Sequence, residues 1–233
     1  MSVKIADFVD SREDRMKALM DLPQTPFIPD AGEVLNPEKT VRIGLNYAGV
    51  TYEHSFYPSL GARALSSSMA VIAYNPATGA SGLAHLTHEG NVHAISSAGE
   101  EALRMMLTRI GGAATPVRIV GPNLRGPVVD GFVNDVLGIL AEYDADIQSA
   151  DFRGKESVHS VAVHAGMWPE GLVRGSINVF TPAAKGSKGE EMSRRIAEMV
   201  DLSAMIHLPN VSGTRIVYNG EDAVEYTHEP GVI

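Results

Sequence analysis

Ser68 and His85 stand 17 residues apart, inside the window LSSSMAVIAYNPATGASGLAHLTH (Leu65–His88). A serine hydroxyl becomes a nucleophile when an imidazole within hydrogen-bond reach takes its proton. The chain between them predicts that reach. Met69–Tyr74 (MAVIAY) is an apolar run too short for a helix and reads as a buried strand. Asn75-Pro76-Ala77-Thr78-Gly79 is turn chemistry, because proline presets φ and glycine accepts positive φ. Gly82–Leu86 (GLAHL) is then the return strand of a hairpin over 68–87. The midpoint of the pair falls between Pro76 and Ala77. Ser68 and His85 are therefore expected opposite each other, with Cβ atoms roughly 4.5–5.5 Å apart. A plainer account also fits the same residues: serines before a strand form turns, and a strand histidine sits half-buried with a partner.

Two other constellations carry less chemistry. His85, His88 and His93 have a spacing that imidazole ligands of zinc or iron use, and Glu89 adds a carboxylate. On one strand, however, His85 and His88 point to opposite faces, so the expectation is no metal, with His85, His88 and His93 as the alternative. Glu142, Asp144 and Asp146 read as an acidic helix end without an acid/base partner.

Further elements must hold the hairpin. The stretch around Ser11 and Asp14 opens a short N-terminal helix, followed by a proline-rich loop from Leu22 to Pro37. Val41–Leu45 is a strand candidate. Three helical periods follow: Ala98, Ala102, Leu103, Met106, Leu107 and Ile110, ended by Gly111-Gly112; Phe132, Val133, Val136, Leu137 and Leu140 behind Pro127; and Met192, Ile196, Met199 and Val200. Strands are expected at Val117–Val120, Val158–His164, Val173–Phe180 and Thr214–Tyr218. Strands mixed with helices behind an opening hairpin predict an α+β layered β-sandwich with flanking helices, not a doubly wound parallel sheet.

The small-residue loop, nucleophile position, apolar strand, Tyr-Asn-Pro-x-Thr-Gly turn and Gly-Leu-Ala-His segment together resemble the chemotaxis-receptor glutamine deamidases (the CheD family). These share a catalytic core with the cytotoxic necrotizing factor toxins. Ser68 falls where that family has its nucleophilic cysteine, and His85 where it has its histidine; Asn75, Pro76, Gly79, Gly82, Leu83 and Ala84 also match. The resemblance implies a single domain over 1–233, with a core of about 61–182 and additions at 1–60 and 183–233. It also implies a hydrolase acting on exposed glutamines of a protein partner, with Ser68 as nucleophile, His85 as general acid/base and no cofactor. The loop amides at Ser66 and Ser67 would face the oxyanion. Two positions depart from the family: cysteine is replaced by Ser68, and a threonine thought to orient the histidine is replaced by Ala62. A hydroxyl needs a well-placed base and oxyanion hole where a thiolate does not, so the site as written is weak or inactive. Either a cysteine has been replaced in an active deamidase, or the chain is a natural pseudoenzyme that binds without catalysis.

Composition excludes several classes. The 233 residues hold no cysteine, which removes disulfides, cysteine-ligated metals and thiol nucleophiles. Nineteen Lys+Arg against 28 Asp+Glu gives a net charge of −9, the wrong sign for a general nucleic-acid binder. Acidic residues from Asp7 to Asp14 interrupt any signal-like apolar stretch, and no long apolar run suggests a membrane span, so a cytoplasmic protein is expected. Gly111–Ala114 and Gly121–Gly126 lack the spacing of phosphate loops. Gly44-Leu45-Asn46-Tyr47 is similar to a segment of fumarylacetoacetate-hydrolase-like enzymes, but no Glu-x-Glu pair accompanies it to hold magnesium.

Overall fold

Every residue from Met69 to Ala73 is buried because both faces of its strand are covered. The computed structural model describes residues 3–4, 12–28, 40–53, 55, 58–63, 65, 67–89, 94–112, 114–122, 127–152, 160–168, 171–174, 205–210, 213–218 and 222–227. Its strands are β1 (Val3–Lys4), β2 (Phe27–Ile28), β3 (Thr40–Arg42), β4 (Tyr47–Thr51), β5 (Ser59–Arg63), β6 (Met69–Asn75), β7 (Ala80–Leu86), β8 (Pro116–Val120), β9 (Asp146–Asp151), β10 (Ser160–His164), β11 (Leu172–Arg174), β12 (Met205–Asn210), β13 (Gly213–Tyr218) and β14 (Asp222–Thr227). The helices are α1 (Arg12–Asp21), α2 (Ser97–Ile110) and α3 (Pro127–Glu142).

The architecture is α+β. Among the described residues, one sheet runs β1-β9-β8-β6-β7-β4-β12-β13-β14 and a second runs β2-β11-β10-β5-β3. Pairing in the first is antiparallel except between β8 and β9 and between β4 and β12. A doubly wound parallel sheet is excluded. Alternate residues of the hairpin divide the core. Met69, Val71, Ala73, Ala84 and Leu86 pack with α2 and α3 residues such as Leu103, Met106, Phe132 and Val136. Ala70, Ile72 and Leu83 pack with Leu60, Ala62, Val161 and Val163 of the second sheet.

Close approach matters at Gly82: a Cβ there would meet Ile110 Cδ1, and Met106 Cγ at 2.9 Å. Glycine at this position leaves the room that the Ile110 and Met106 side chains of α2 take up against β7. Ser96 caps α2 through its Oγ, which accepts from the Gly99 amide at 3.0 Å, and Gly111, with φ +66, ends it. Between the sheets, the Arg118 guanidinium stacks over Trp168 at 4.1 Å, and Trp168 stacks on Tyr74 with centroids 5.5 Å apart. Burial pushes the Arg118 pKa down.

Several expectations need correction. Tyr47–Thr51 and Ser59–Arg63 are strands that the sequence reading did not include, and Thr40–Arg42 is the strand expected at Val41–Leu45. β4 lies beside β7 in the first sheet, and β5 spans residue 61. Asp146 opens a strand instead of closing a helix, because β9 pairs in parallel with β8. Glu142 is ion-paired to Arg104 across α2 and α3, and this pairing holds its carboxyl below the usual range. Phe27–Ile28 forms a short strand within the expected loop. The helix expected around Met192–Val200, the strand beyond Arg174 and the Ser11 cap lie outside the described residues. Among the described residues, no helix is long and apolar enough to cross a membrane.

Candidate functional site

Ser68 immediately precedes β6, and His85 is the penultimate residue of β7. The hairpin register pairs Met69 with Leu86 and Ala70 with His85. Its centre lies between Ala77 and Thr78, one position beyond the expected point, because the pairing runs out to Asn75 and Ala80. Ser68 and His85 are consequently diagonal and not directly opposite. The slip moves each pairing by two residues, so both side chains keep the same face, toward the second sheet. Diagonal neighbours are still within reach of a long side chain. Ser68 Oγ lies 2.8 Å from His85 Nε2.

The other ring nitrogen decides the protonation pattern. His85 Nδ1 lies 3.1 Å from the carbonyl oxygen of Ile43. A carbonyl only accepts, so Nδ1 carries the hydrogen and donates it. In the neutral ring Nε2 then bears the lone pair, and Ser68 Oγ–H donates to it. This is the arrangement a general base needs: nucleophile to base, base to an orienting acceptor. Ile43 is itself tied down, since its amide donates to the Gly61 carbonyl on β5 at 2.8 Å. Sequence reading missed this residue because a backbone carbonyl carries no side-chain signal. Ala62 is fully buried and offers no polar side-chain atom.

Glycine shapes the loop behind the serine. Gly121 has φ +74, and a Cβ on it would come within 2.8 Å of the carbonyl oxygens of both Leu65 and Ser68. That contact is with rigid backbone, so the loop carrying Ser68 seats against Gly121 only because no side chain intervenes. Ser68 is 1% exposed and His85 4%, while neighbouring Ser67 is exposed. The pair is thus roofed, although its loop reaches the surface. Ser66 lies outside the described residues.

Of the three histidines, His85 and His88 are described, and they have different surroundings. Both ring nitrogens of His85 are engaged as above, whereas His88 packs edge-on against Phe132, 6.2 Å between centroids, on the helix side of the sheet. His93 lies outside the described residues. Among the described residues, no group of three His, Asp or Glu side chains is placed to hold a metal ion.

No protein-family model matches this sequence, and no curated protein matches it significantly.

Proposed function

We propose that Ser68 and His85 form a deamidase-type hydrolytic site of the CheD kind, acting on glutamine side chains of a protein partner, with serine at the nucleophile position. The observation that carries this reading is the hydrogen-bond chain Ser68 Oγ–H to His85 Nε2, and His85 Nδ1–H to Ile43 O. Three features of the hairpin resemblance support it: the Asn-Pro-x-Thr-Gly turn, the Gly-Leu-Ala-His segment and the 17-residue spacing.

In the proposed reaction, Ser68 Oγ attacks the amide carbon of the glutamine while His85 Nε2 takes the hydroxyl proton. His85 returns that proton to the departing nitrogen, releasing ammonia and leaving an acyl ester. Water then attacks the ester, with His85 as base, to give glutamate and restore the serine. The oxyanion would be met by loop amides at Ser66 and Ser67. Serine makes the first step slow, because its hydroxyl must lose the proton during attack, whereas a cysteine beside histidine is already largely thiolate.

A second reading has its own observation. Ser68 is 1% exposed, which favours a binding protein that retains the fold without turnover. Ser68→Cys separates the two. The deamidase reading expects this variant to release ammonia from a glutamine-containing protein and to convert the amide to a carboxylate, detectable by mass. Release by Ser68→Cys that His85→Ala leaves unchanged would reject His85 as the base; absence of release across a panel of unfolded and native protein substrates favours the binding reading.

A further inference from the structure

We propose that Asn46 is a positioning residue for His85: it clamps the Ile43–Tyr47 turn onto β7 and so fixes which ring nitrogen carries the proton. The chemical consequence rests on the Ser68–His85 reading above; the geometry does not.

The Ile43 carbonyl that accepts from His85 Nδ1 sits at the start of a tight turn. Tyr47 closes that turn by donating its amide to the Gly44 carbonyl at 3.2 Å. Asn46, the third residue of the turn, has φ +61, a left-handed conformation that asparagine tolerates better than other side-chain-bearing residues. Two bonds from this one residue grip the end of β7, one at the histidine itself and one two residues further on. Its amide donates to the His85 carbonyl at 2.6 Å, and its Oδ1 accepts from the Thr87 amide at 3.1 Å. Helix α2 closes over the side chain, since a Cβ at Gly99 would come within 2.9 Å of Asn46 Oδ1. The asparagine amide is therefore held between the strand and the first turn of the helix.

These contacts set the separation between Ile43 O and His85 Nδ1. A turn released from β7 would carry the carbonyl away. The bond that holds the hydrogen on Nδ1 would then be lost, and the ring could place it on Nε2. With the hydrogen there, Nε2 cannot accept from Ser68, and the base is lost without either catalytic side chain being touched. A merely structural asparagine would affect stability alone.

The test uses the full chain labelled with ¹⁵N at histidine. In the unsubstituted protein the His85 ring is expected to show an N–H type Nδ1 and a bare Nε2. Asn46→Gly keeps the left-handed conformation at no steric cost and removes the side chain with its Oδ1, so the bond to the Thr87 amide is lost while the backbone bond to the His85 carbonyl remains. It is expected to shift a substantial fraction of His85 to the Nε2–H form, and Asn46→Asp, which retains an acceptor oxygen, to restore the original form. In a Ser68→Cys background, Asn46→Gly is expected to raise the ratio of alkylation rates between about pH 9.5 and pH 5.5 by about tenfold, toward that of an ordinary thiol. An unchanged tautomer and ratio in folded Asn46→Gly overturn the proposal while leaving the deamidase reading intact. A shifted tautomer in a protein whose Ser68→Cys thiol was ordinary from the start upholds the clamp and rejects the deamidase reading. Should Asn46→Gly not fold, scalar coupling across the Asn46 N–H···O=C His85 bond in the unsubstituted protein decides: its absence overturns the clamp, its presence together with the Nδ1–H form upholds it.

Discussion

Replacing Ser68 by cysteine converts the hydrogen bond to His85 Nε2, 2.8 Å in this structure, into a thiolate–imidazolium pair. Two opposite charges about 4 Å apart attract by about 4 kcal/mol at an effective dielectric constant of about 20. Dividing by about 1.4 kcal/mol per pH unit gives a drop of about three units in the thiol's ionisation. Burial works the other way, since it disfavours the thiolate, so a net drop of about two units from the free value of about 8.5 is the expectation. The observable is the rate of alkylation by a small haloacetamide at two pH values. A free thiol is about 0.1% ionised at pH 5.5 and about 90% at pH 9.5, a span of about 900-fold. The paired thiol would be about 9% ionised at the lower value and fully ionised at the upper, a span of about elevenfold. Because the measurement is a ratio within one variant, limited access to Ser68 cancels to the extent that loop opening is independent of pH. His85→Ala in the same background should restore a span of several hundredfold. Equal spans with and without His85 would refute the inference that the imidazole activates this position.

Four further outcomes follow from the same geometry. His85→Ala removes a hydrogen-bond partner from both Ser68 Oγ and the Ile43 carbonyl and opens a cavity between the sheets, so urea denaturation should show a loss of about 2–4 kcal/mol. Gly121→Ala places a Cβ in a left-handed backbone against the Leu65 and Ser68 carbonyls, costing about 2–4 kcal/mol, and should also shift the Ser68 amide resonance. Gly82→Ala should destabilise by about 1–3 kcal/mol, and adding Ile110→Val, which deletes the Cδ1 that the new Cβ would meet, should recover part of the loss in a double-mutant cycle. Glu142, held below its usual ionisation by Arg104, favours the folded state above the unfolded carboxyl value, and that contribution disappears as pH falls through the lower folded value. Glu142→Gln should therefore be less stable than the parent at pH 7 in low salt, with the difference vanishing once pH falls below the lowered folded value and shrinking in about 1 M salt.

The hairpin was legible because its signals are local and strong. MAVIAY cannot be an amphipathic helix, and Asn75-Pro76 with Gly79 dictates a turn, so the strands, their faces and the proximity of Ser68 to His85 could all be read. The register slipped by two residues because the turn residues fix that a reversal occurs, not where the ladder stops. Helix α2 was visible through its apolar stripe and glycine stop, down to Ile110 and Gly111. Strands such as YAGVT and SLGAR are short, contain glycine and show no alternation, because β4 is buried on both faces and β5 is built largely of small residues. The polar run DIQSAD hides β9 for a related reason: its order comes from pairing with β8, not from its own propensity. The Ile43 carbonyl was beyond reach, since long-range contacts choose which backbone oxygen meets a ring. Asn46 did leave a trace, an asparagine two residues after Gly44, but a turn signal alone does not say what the turn touches.

The most direct measurement is the ¹⁵N spectrum of the His85 ring near neutral pH in the unsubstituted protein. The account predicts hydrogen on Nδ1, bonded to Ile43, and a bare Nε2 accepting from Ser68. Hydrogen on Nε2 with a bare Nδ1 would contradict it, because His85 could not then take the proton of the residue at position 68.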